Sequence, residues 1–213
     1  MLLAGCAQRQ PSPPPSVVGN VPLTTSTEIP GALVYRAKGL NELPAPRCIY
    51  IPDTQVYNGP NAQYENVDEQ QKGFVAKLIT YAFRQEIGRH QRLCQTPGPG
   101  GPTLQLTLFG LKRTTPTEIS PTVPYGWAIA ASDLNTSGME VAINDSMTLG
   151  GKLSDSDGKV LGGFVDTVSS SDFTLSSHGP PAEMARLGAD KIAREIAQAV
   201  DREIARERKN PSG

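Results

Sequence analysis

The chain has 213 residues, and its 20 lysine and arginine residues nearly balance 21 aspartate and glutamate residues, which gives a formal net charge of −1. This length suits one domain with a tail and excludes two ordinary domains. The balanced charge argues against a nucleic-acid-binding surface. The lack of any run of about 18 apolar residues argues against a membrane-spanning helix.

A cysteine near the N-terminus, Cys6, ends the sequence Leu-Ala-Gly-Cys. This tetrapeptide resembles a lipobox, where a lipoprotein signal peptide is cut just before a cysteine that has received a diacylglyceryl group. We expect residues 1–6 to be the remnant of a signal peptide whose basic and longer apolar regions lie upstream, and Cys6 to bind the membrane through its lipid. Ala7 is typical of outer-membrane lipoproteins facing the periplasm. The alternative is a free thiol in a disordered tail.

Residues 7–30 are rich in proline, serine, threonine and valine. Such a composition buries too little apolar surface to fold, so we predict a disordered tether between the lipid and the domain. About 24 residues span on the order of 27 Å as a flexible coil and up to roughly 70 Å as polyproline II. A single domain over residues 31–208 is expected to follow.

The first elements expected in that domain are a strand and a helix. Residues 48–51 form a short β-branched and aromatic run that ends before Pro52, which predicts a strand. Asp68 and Gln71 have the spacing of a capping box, so a helix is expected to begin there and to end near Gly88. Its apolar residues recur every three or four positions and predict one buried stripe. This stripe consists of Phe74, Val75, Leu78, Ile79, Ala82, Phe83 and Ile87.

Further strands are expected after this helix. Residues 93–94 are a candidate short strand. Residues 103–108 and 139–153 alternate apolar and polar side chains, which is typical of strands with one buried face. These segments, together with the strand that follows the next turn, predict a sheet built largely from hairpins.

The hairpin turn is predicted at Asp157-Gly158, because both central positions of a two-residue type I′ turn need positive φ. The register that follows pairs Ser156 with Lys159, and it places Leu153 opposite Gly162 and Gly151 opposite Phe164, where a phenyl ring over a glycine is a sensible fit. In the same register Asp166 faces Leu149.

A last helix is expected to begin at Pro180-Pro181 and to reach about residue 208. Its charged end, which includes Arg206, is expected to project into solvent. The resulting order β-α-β-β-β-β-α predicts an α+β domain. In it a largely antiparallel sheet of about five strands is covered on one face by two helices.

The pattern resembles a bacterial lipoprotein family known as domain of unknown function 3313. The resemblance runs from the segment that begins at Pro30, through strand 48–51 and the Tyr57 and Gly59-Pro60 region, to the Asp-Gly hairpin and the last helix. It implies a periplasm-facing lipoprotein. It implies no catalytic or ligand-binding residues.

Nucleophilic catalysis needs a base beside a nucleophile. The two histidines are His90, at a helix end, and His178, in a serine-containing loop without the Gly-x-Ser-x-Gly elbow. A Ser–His pair in that loop is conceivable, but we expect the protein not to be an enzyme.

No metal or cofactor is expected. The histidines and cysteines lack zinc-site spacing. Residues 155–158 are similar to the start of a calcium loop but lack a third acidic ligand and the distant glutamate. The two Gly-Gly pairs, at 150–151 and 162–163, do not open a helix and so are not phosphate loops. The remaining scattered acids have no fixed spacing and are not expected to form an acid–base pair. These acids are Asp53, Asp145 and Asp166.

If Cys6 is lipidated, Cys48 and Cys94 remain as an even pair. Cys94 lies at the far end of a helix that must pack back over the strand opened by Cys48, which favours a disulfide. Two separate buried thiols are the alternative.

One long connection, residues 114–138, lacks obvious regular structure and contains Tyr125 and Trp127. Long loops of this kind are often functional, and these aromatic residues are favoured at interfaces. The hypothesis is that Tyr125, Trp127 and Arg206 form a surface for an envelope protein partner. The alternative is that Trp127 folds back over a sheet edge.

We therefore expect a membrane-anchored envelope lipoprotein whose periplasmic domain is a non-catalytic binding or assembly accessory. A periplasmic hydrolase or small-ligand binder, with a site built from loops around His178 or Asp145, is the second hypothesis. A cytoplasmic protein with an accidental Leu-Ala-Gly-Cys is the third. The oligomeric state does not follow from the sequence.

Overall fold

The computed structural model describes residues 15–38, 48–99, 101–112, 146–169 and 186–199. The described part of the chain ends with a helix over residues 186–199, which we label α3. Among these residues, no helix has the length and apolar character needed to cross a membrane. The other elements, in chain order, are α1 (Pro15–Val18), β1 (Thr24–Thr25), β2 (Leu33–Arg36), β3 (Ile49–Tyr50), β4 (Gln55–Val56), β5 (Gln63–Glu65), α2 (Glu69–His90), β6 (Leu93–Cys94), β7 (Thr103–Lys112), β8 (Ser146–Ser154) and β9 (Val160–Ser169).

The strands form one sheet in the order β1-β2-β9-β8-β7-β3-β6, and β4 and β5 also pair with β7. In this sheet order, each pair of neighbouring strands from β1 through β2, β9 and β8 to β7 is antiparallel. In contrast, β3, β4 and β5 run parallel to β7, and β6 runs parallel to β3. The predicted α+β class with a largely antiparallel sheet is confirmed, but the sheet has nine strands where about five were expected.

The extra strands come largely from one side of β7, where three short segments stand in a row. Tyr50 pairs with Thr103, Gln55–Val56 pairs further along β7, and Gln63–Glu65 pairs at its end. Pro52 and Gly59-Pro60 lie in the gaps between the segments. Proline has no backbone N–H to donate to a strand ladder, so these positions divide the edge into pieces.

The helix α2 begins as predicted. The Asp68 carboxylate accepts a hydrogen bond from the Gln71 backbone N–H (2.7 Å), and the Gln71 side chain accepts one from the Asp68 N–H (2.9 Å). The helix continues past Gly88 to His90. Most of the predicted stripe is buried, but Phe74 was wrongly placed in it, because its side chain lies on the outer side of α2 and is 50% exposed.

Both α2 and α3 pack on one face of the sheet, as predicted. The rings of Phe83 in α2 and Phe164 in β9 are stacked, with centroids 6.0 Å apart. Small residues of α3, Ala189 and Ala193, are fully buried in the same core. Small side chains let this helix approach the sheet closely, as the alanine pattern of the sequence indicates.

The hairpin between β8 and β9 has the predicted register from Met147 to Leu153 but not the predicted turn. The predicted Ser156–Lys159 pair is wrong, because the Asp155 backbone N–H donates to the Lys159 carbonyl instead. Gly151 pairs with Phe164, and a Cβ at Gly151 would collide with that ring. Gly158 has φ +82°, whereas Asp157 does not have positive φ, so the turn is not type I′. The loop is one residue longer than a two-residue turn, and a bulge beside Ser154 absorbs the extra residue.

The predicted tether, residues 7–30, is wrong from about residue 17 onward. The side chains of Val17 and Val18 are buried on the face of the sheet opposite α2, and β1 pairs with β2. We call residues 17–25 the N-terminal strap. The strap packs against Phe109 and Val165. The expectation of only one buried face for residues 103–108 is therefore also wrong, since Thr107 on the other face is buried as well.

Candidate functional site

Several residues that the sequence singled out lie outside the residues that the structure describes. They are Cys6, Tyr125, Trp127, Asp145, His178 and Arg206. Of the two histidines, His90 is described; it is exposed in the last turn of α2.

Cys48 and Cys94 form a disulfide with a Cα–Cα distance of 5.2 Å. The bond links the start of β3 to the edge strand β6, which pair in parallel. A pocket lies beside the disulfide and is lined by Arg92, Gln95, Thr96 and the Pro97-Gly98-Pro99 segment. The described residues of this lining include no histidine, carboxylate or free thiol.

A buried lysine stands at the centre of a polar cluster at the N-terminal end of α2. Lys72 Nζ lies 2.6 Å from Glu69 Oε1 and 3.4 Å from Asn58 Oδ1. It also lies 4.1 Å from the centroid of the Tyr64 ring, a cation–π distance. The Tyr64 hydroxyl donates a hydrogen bond to the Leu108 carbonyl (2.8 Å). The cluster therefore joins α2 to the β4–β5 segment and to β7.

The ionisation of this cluster follows from the same contacts. Burial raises the pKa of Tyr64 well above its ordinary value, and the negative charge of Glu69 raises it further. The hydrogen bond from Lys72 lowers the pKa of the exposed Glu69 carboxyl. Tyr64 is therefore a neutral hydrogen-bond donor and Glu69 an anion at neutral pH, which suits a structural ion pair better than proton transfer.

Asp53 takes part in a second structural contact. The Arg84 guanidinium donates hydrogen bonds to the Ile51 carbonyl (2.8 and 3.0 Å) and to the Asp53 carboxylate (3.0 Å). Beside it, the Thr54 backbone N–H donates to the buried Thr80 hydroxyl (2.8 Å). These contacts fix the loop between β3 and β4 on α2.

Asp166 is buried on the helix-covered face opposite Leu149, as the predicted register requires. Its Oδ1 accepts a hydrogen bond from the Thr167 backbone N–H (2.8 Å). Asp53 and Asp166 are therefore held in different parts of the fold and form no acid–base pair.

The acidic hairpin tip is explained by its own backbone. The Asp155 carboxylate accepts hydrogen bonds from the N–H groups of Asp157 (3.0 Å) and Lys159 (2.9 Å). Within the described ranges, no group of three or more histidine, cysteine, aspartate or glutamate residues could hold a metal ion. The two Gly-Gly pairs lie within β8 and β9, where Gly150 makes room for Val17.

A feature that the sequence interpretation missed is an exposed aromatic line on the outer side of α2. Phe74 is 50% exposed and Tyr81 is 65% exposed, and they are the exposed large hydrophobic residues of the described chain. Lys77 is exposed between them. We call these three residues the aromatic line. Their positions opposite Val75, Ile79 and Phe83 on the helical wheel were a readable signal.

The family expected from the sequence is found by comparison. A family model described as "Protein of unknown function (DUF3313)" matches residues 23–196. No curated protein matches the chain. Among solved structures, a PelC dodecamer from Paraburkholderia phytofirmans is 12% identical, with a TM-score of 0.40 over 72% of this chain and 90% of that chain. A Xanthomonas campestris protein of family DUF330 is 10% identical, with a TM-score of 0.43 over 77% of this chain and 91% of that chain. Since the family match spans most of the sequence, the chain belongs to the DUF3313 family of proteins of unknown function.

Proposed function

We propose that this protein is an envelope lipoprotein, anchored to the outer membrane through a lipid on Cys6. Its periplasm-facing domain binds a protein partner without catalysis. The observation that carries the binding role is the aromatic line of α2, where Phe74 and Tyr81 are half or more exposed. Leu-Ala-Gly-Cys at the N-terminus supports the anchor.

The aromatic line has the composition of a protein-binding surface. Phe74 and Tyr81 are seven residues apart, so their side chains leave the same side of α2 about 10.5 Å apart along the axis. Aromatic residues are favoured interface anchors, whereas the surfaces of monomeric proteins rarely expose contiguous apolar patches. Lys77 has no ion-pair partner among the described residues. The partner is therefore a protein with an apolar groove and a carboxylate placed to meet Lys77.

The absence of a catalytic role is proposed because the polar side chains that the fold brings together are engaged with one another. Lys72 is held by Glu69 and Tyr64, and Arg84 is held by Asp53 and a main-chain carbonyl. The contacts to Tyr64, to Asp53 and to the carbonyl each join α2 to another part of the fold. A catalytic constellation would instead direct its polar atoms at a substrate.

Palmitate labelling tests the anchor. Cells that express the wild-type protein from its natural gene are grown with a clickable palmitate analogue. Cells that express the Cys6→Ser variant are grown in the same way. We expect label in the membrane fraction for the wild type and none for the variant. Equal labelling of both proteins would contradict lipidation at Cys6.

Crosslinking in cells tests the partner surface. We compare the wild type with the double variant Phe74→Ser/Tyr81→Ser, and use Thr167→Ser, an exposed position on the opposite face of the sheet, as the control. The crosslinked species should persist in the control and disappear in the double variant, while the melting temperatures stay close. Unchanged crosslinks in a folded double variant would remove the aromatic line from the interface.

A further inference from the structure

The N-terminal strap joins the fold on the side of the sheet that faces away from α2. Val17 and Val18 are 1% and 2% exposed and pack against Phe109 and Val165. A Cβ at Gly150 would collide with Val17, so the glycine leaves the space that this valine fills. The strap is thus a packed part of the domain and fixes where the N-terminal tail leaves it.

The alternation of β9 places the strap and α2 on opposite faces. Phe164 stacks on Phe83 of α2, whereas its neighbour Val165 contacts the strap. Successive side chains of a strand point to opposite faces of a sheet. The aromatic line lies on the outer side of α2 and is therefore separated from the strap by the sheet and the full helix.

The length of chain between Cys6 and Val17 limits how far the strap can stand from an anchoring membrane. These eleven residue steps reach at most about 40 Å when fully extended. This segment between Cys6 and Val17, which we call the leash, is far shorter than the tether of residues 7–30 that the sequence predicted. The short leash favours an arrangement in which the face that carries the strap is the one nearest to the membrane.

We propose that the aromatic line points away from the anchoring membrane, so that its partner is a protein approaching from the aqueous side and not the lipid surface. This inference rests on the anchor and the partner surface proposed above. Phenylalanine, tyrosine and lysine also suit a membrane interface. The described chain, however, begins at Pro15 beside the strap face, and on this proposal that face lies towards the lipid.

Energy transfer to the bilayer tests the orientation. The full-length protein is expressed without lipid modification, so that Cys6 keeps a free thiol, and is coupled through Cys6 to a maleimide lipid in vesicles of phosphatidylethanolamine and phosphatidylglycerol that contain an acceptor dye. A donor dye is placed on an azide-bearing residue that replaces either Tyr81 on α2 or Thr167, which is exposed on the strap face. We expect clearly stronger transfer from position 167. Equal transfer, or stronger transfer from position 81, overturns the proposal.

Vesicle sedimentation tests the competing occupant. The untethered Cys6→Ser protein should remain in the supernatant with the same vesicles, and Phe74→Ser/Tyr81→Ser should not change this result. Sedimentation that the double variant abolishes would make lipid the occupant of the aromatic line and overturn the proposal. On the vesicles, Cys6 is coupled to the lipid chemically. A failure of palmitate labelling in cells would therefore contradict the natural anchor but would leave the orientation measured on vesicles unaffected.

Discussion

At the scale of single residues, Lys72 shows how a charge is kept inside the fold. Its ammonium group is nearly buried and is shared between the Glu69 carboxylate, the Asn58 side chain and the Tyr64 ring. No pattern in the sequence indicated this, since lysine on a helix is usually solvated and Tyr64 comes from a separate segment. Only the packing of β5 beside α2 brings the ring under the ammonium group.

Truncation of Lys72 is expected to destabilise the fold. Lys72→Ala removes the cation–π contact and the ion pair and should lower the free energy of unfolding by about 1–2 kcal/mol. The control, Lys77→Ala, truncates an exposed lysine of the same helix and should change it by less than about 0.5 kcal/mol. Urea denaturation followed by circular dichroism measures both values. Equal losses for the two variants would show that the cluster contributes nothing specific.

At the scale of elements, α2 and the β8–β9 hairpin were the most predictable parts of the chain. The start of α2 depends on two reciprocal hydrogen bonds between Asp68 and Gln71. These residues are three positions apart, so the sequence alone shows the capping box. In the hairpin, the register followed from side-chain alternation and from the fit of Phe164 over Gly151. The turn type did not follow, because a bulge beside Ser154 can absorb one residue without shifting the strands.

Removal of the cap should weaken α2. Asp68→Ala leaves the Gln71 backbone N–H without its acceptor, and we expect a loss of about 1 kcal/mol in the free energy of unfolding. Gln70→Ala, in the same first turn and exposed, serves as the matched control. Thermal melts of both variants provide the measurement. A cap variant as stable as the control would mean that water replaces the carboxylate at no cost.

At the scale of the whole molecule, the N-terminal strap decides where the domain begins. Val17→Ala removes buried apolar surface and should cost about 1–3 kcal/mol of unfolding free energy, as is typical of core truncations. Thr27→Ala, an exposed change shortly after the strap, should be nearly neutral. Chemical denaturation distinguishes the two. A neutral Val17→Ala variant would return residues 17–25 to the predicted disordered tether.

The disulfide acts at the same scale because it closes 46 residues that include β4, β5 and α2. The chain-entropy model gives a contribution of about 4 kcal/mol for a loop of this length. In the Cys6→Ser background, the unfolded protein should show no reactive thiol without reductant and two after reduction. Two thiols before reduction would mean that Cys48 and Cys94 are separate. In that case, the double variant Cys48→Ala/Cys94→Ala should have the same free energy of unfolding as the wild type.

The sequence by itself determined the family, the α+β class, the cap of α2 and the register of the β8–β9 hairpin. These depend on signals that act within a few residues or on the period of side-chain alternation. The tertiary structure alone decided that Val17 belongs to the core. The space above Gly150 that receives Val17 is formed by residues far along the chain, so no local pattern encodes it. Composition marked residues 7–30 as too polar to fold alone, and the sheet supplies the apolar surface on which Val17 and Val18 of this segment pack.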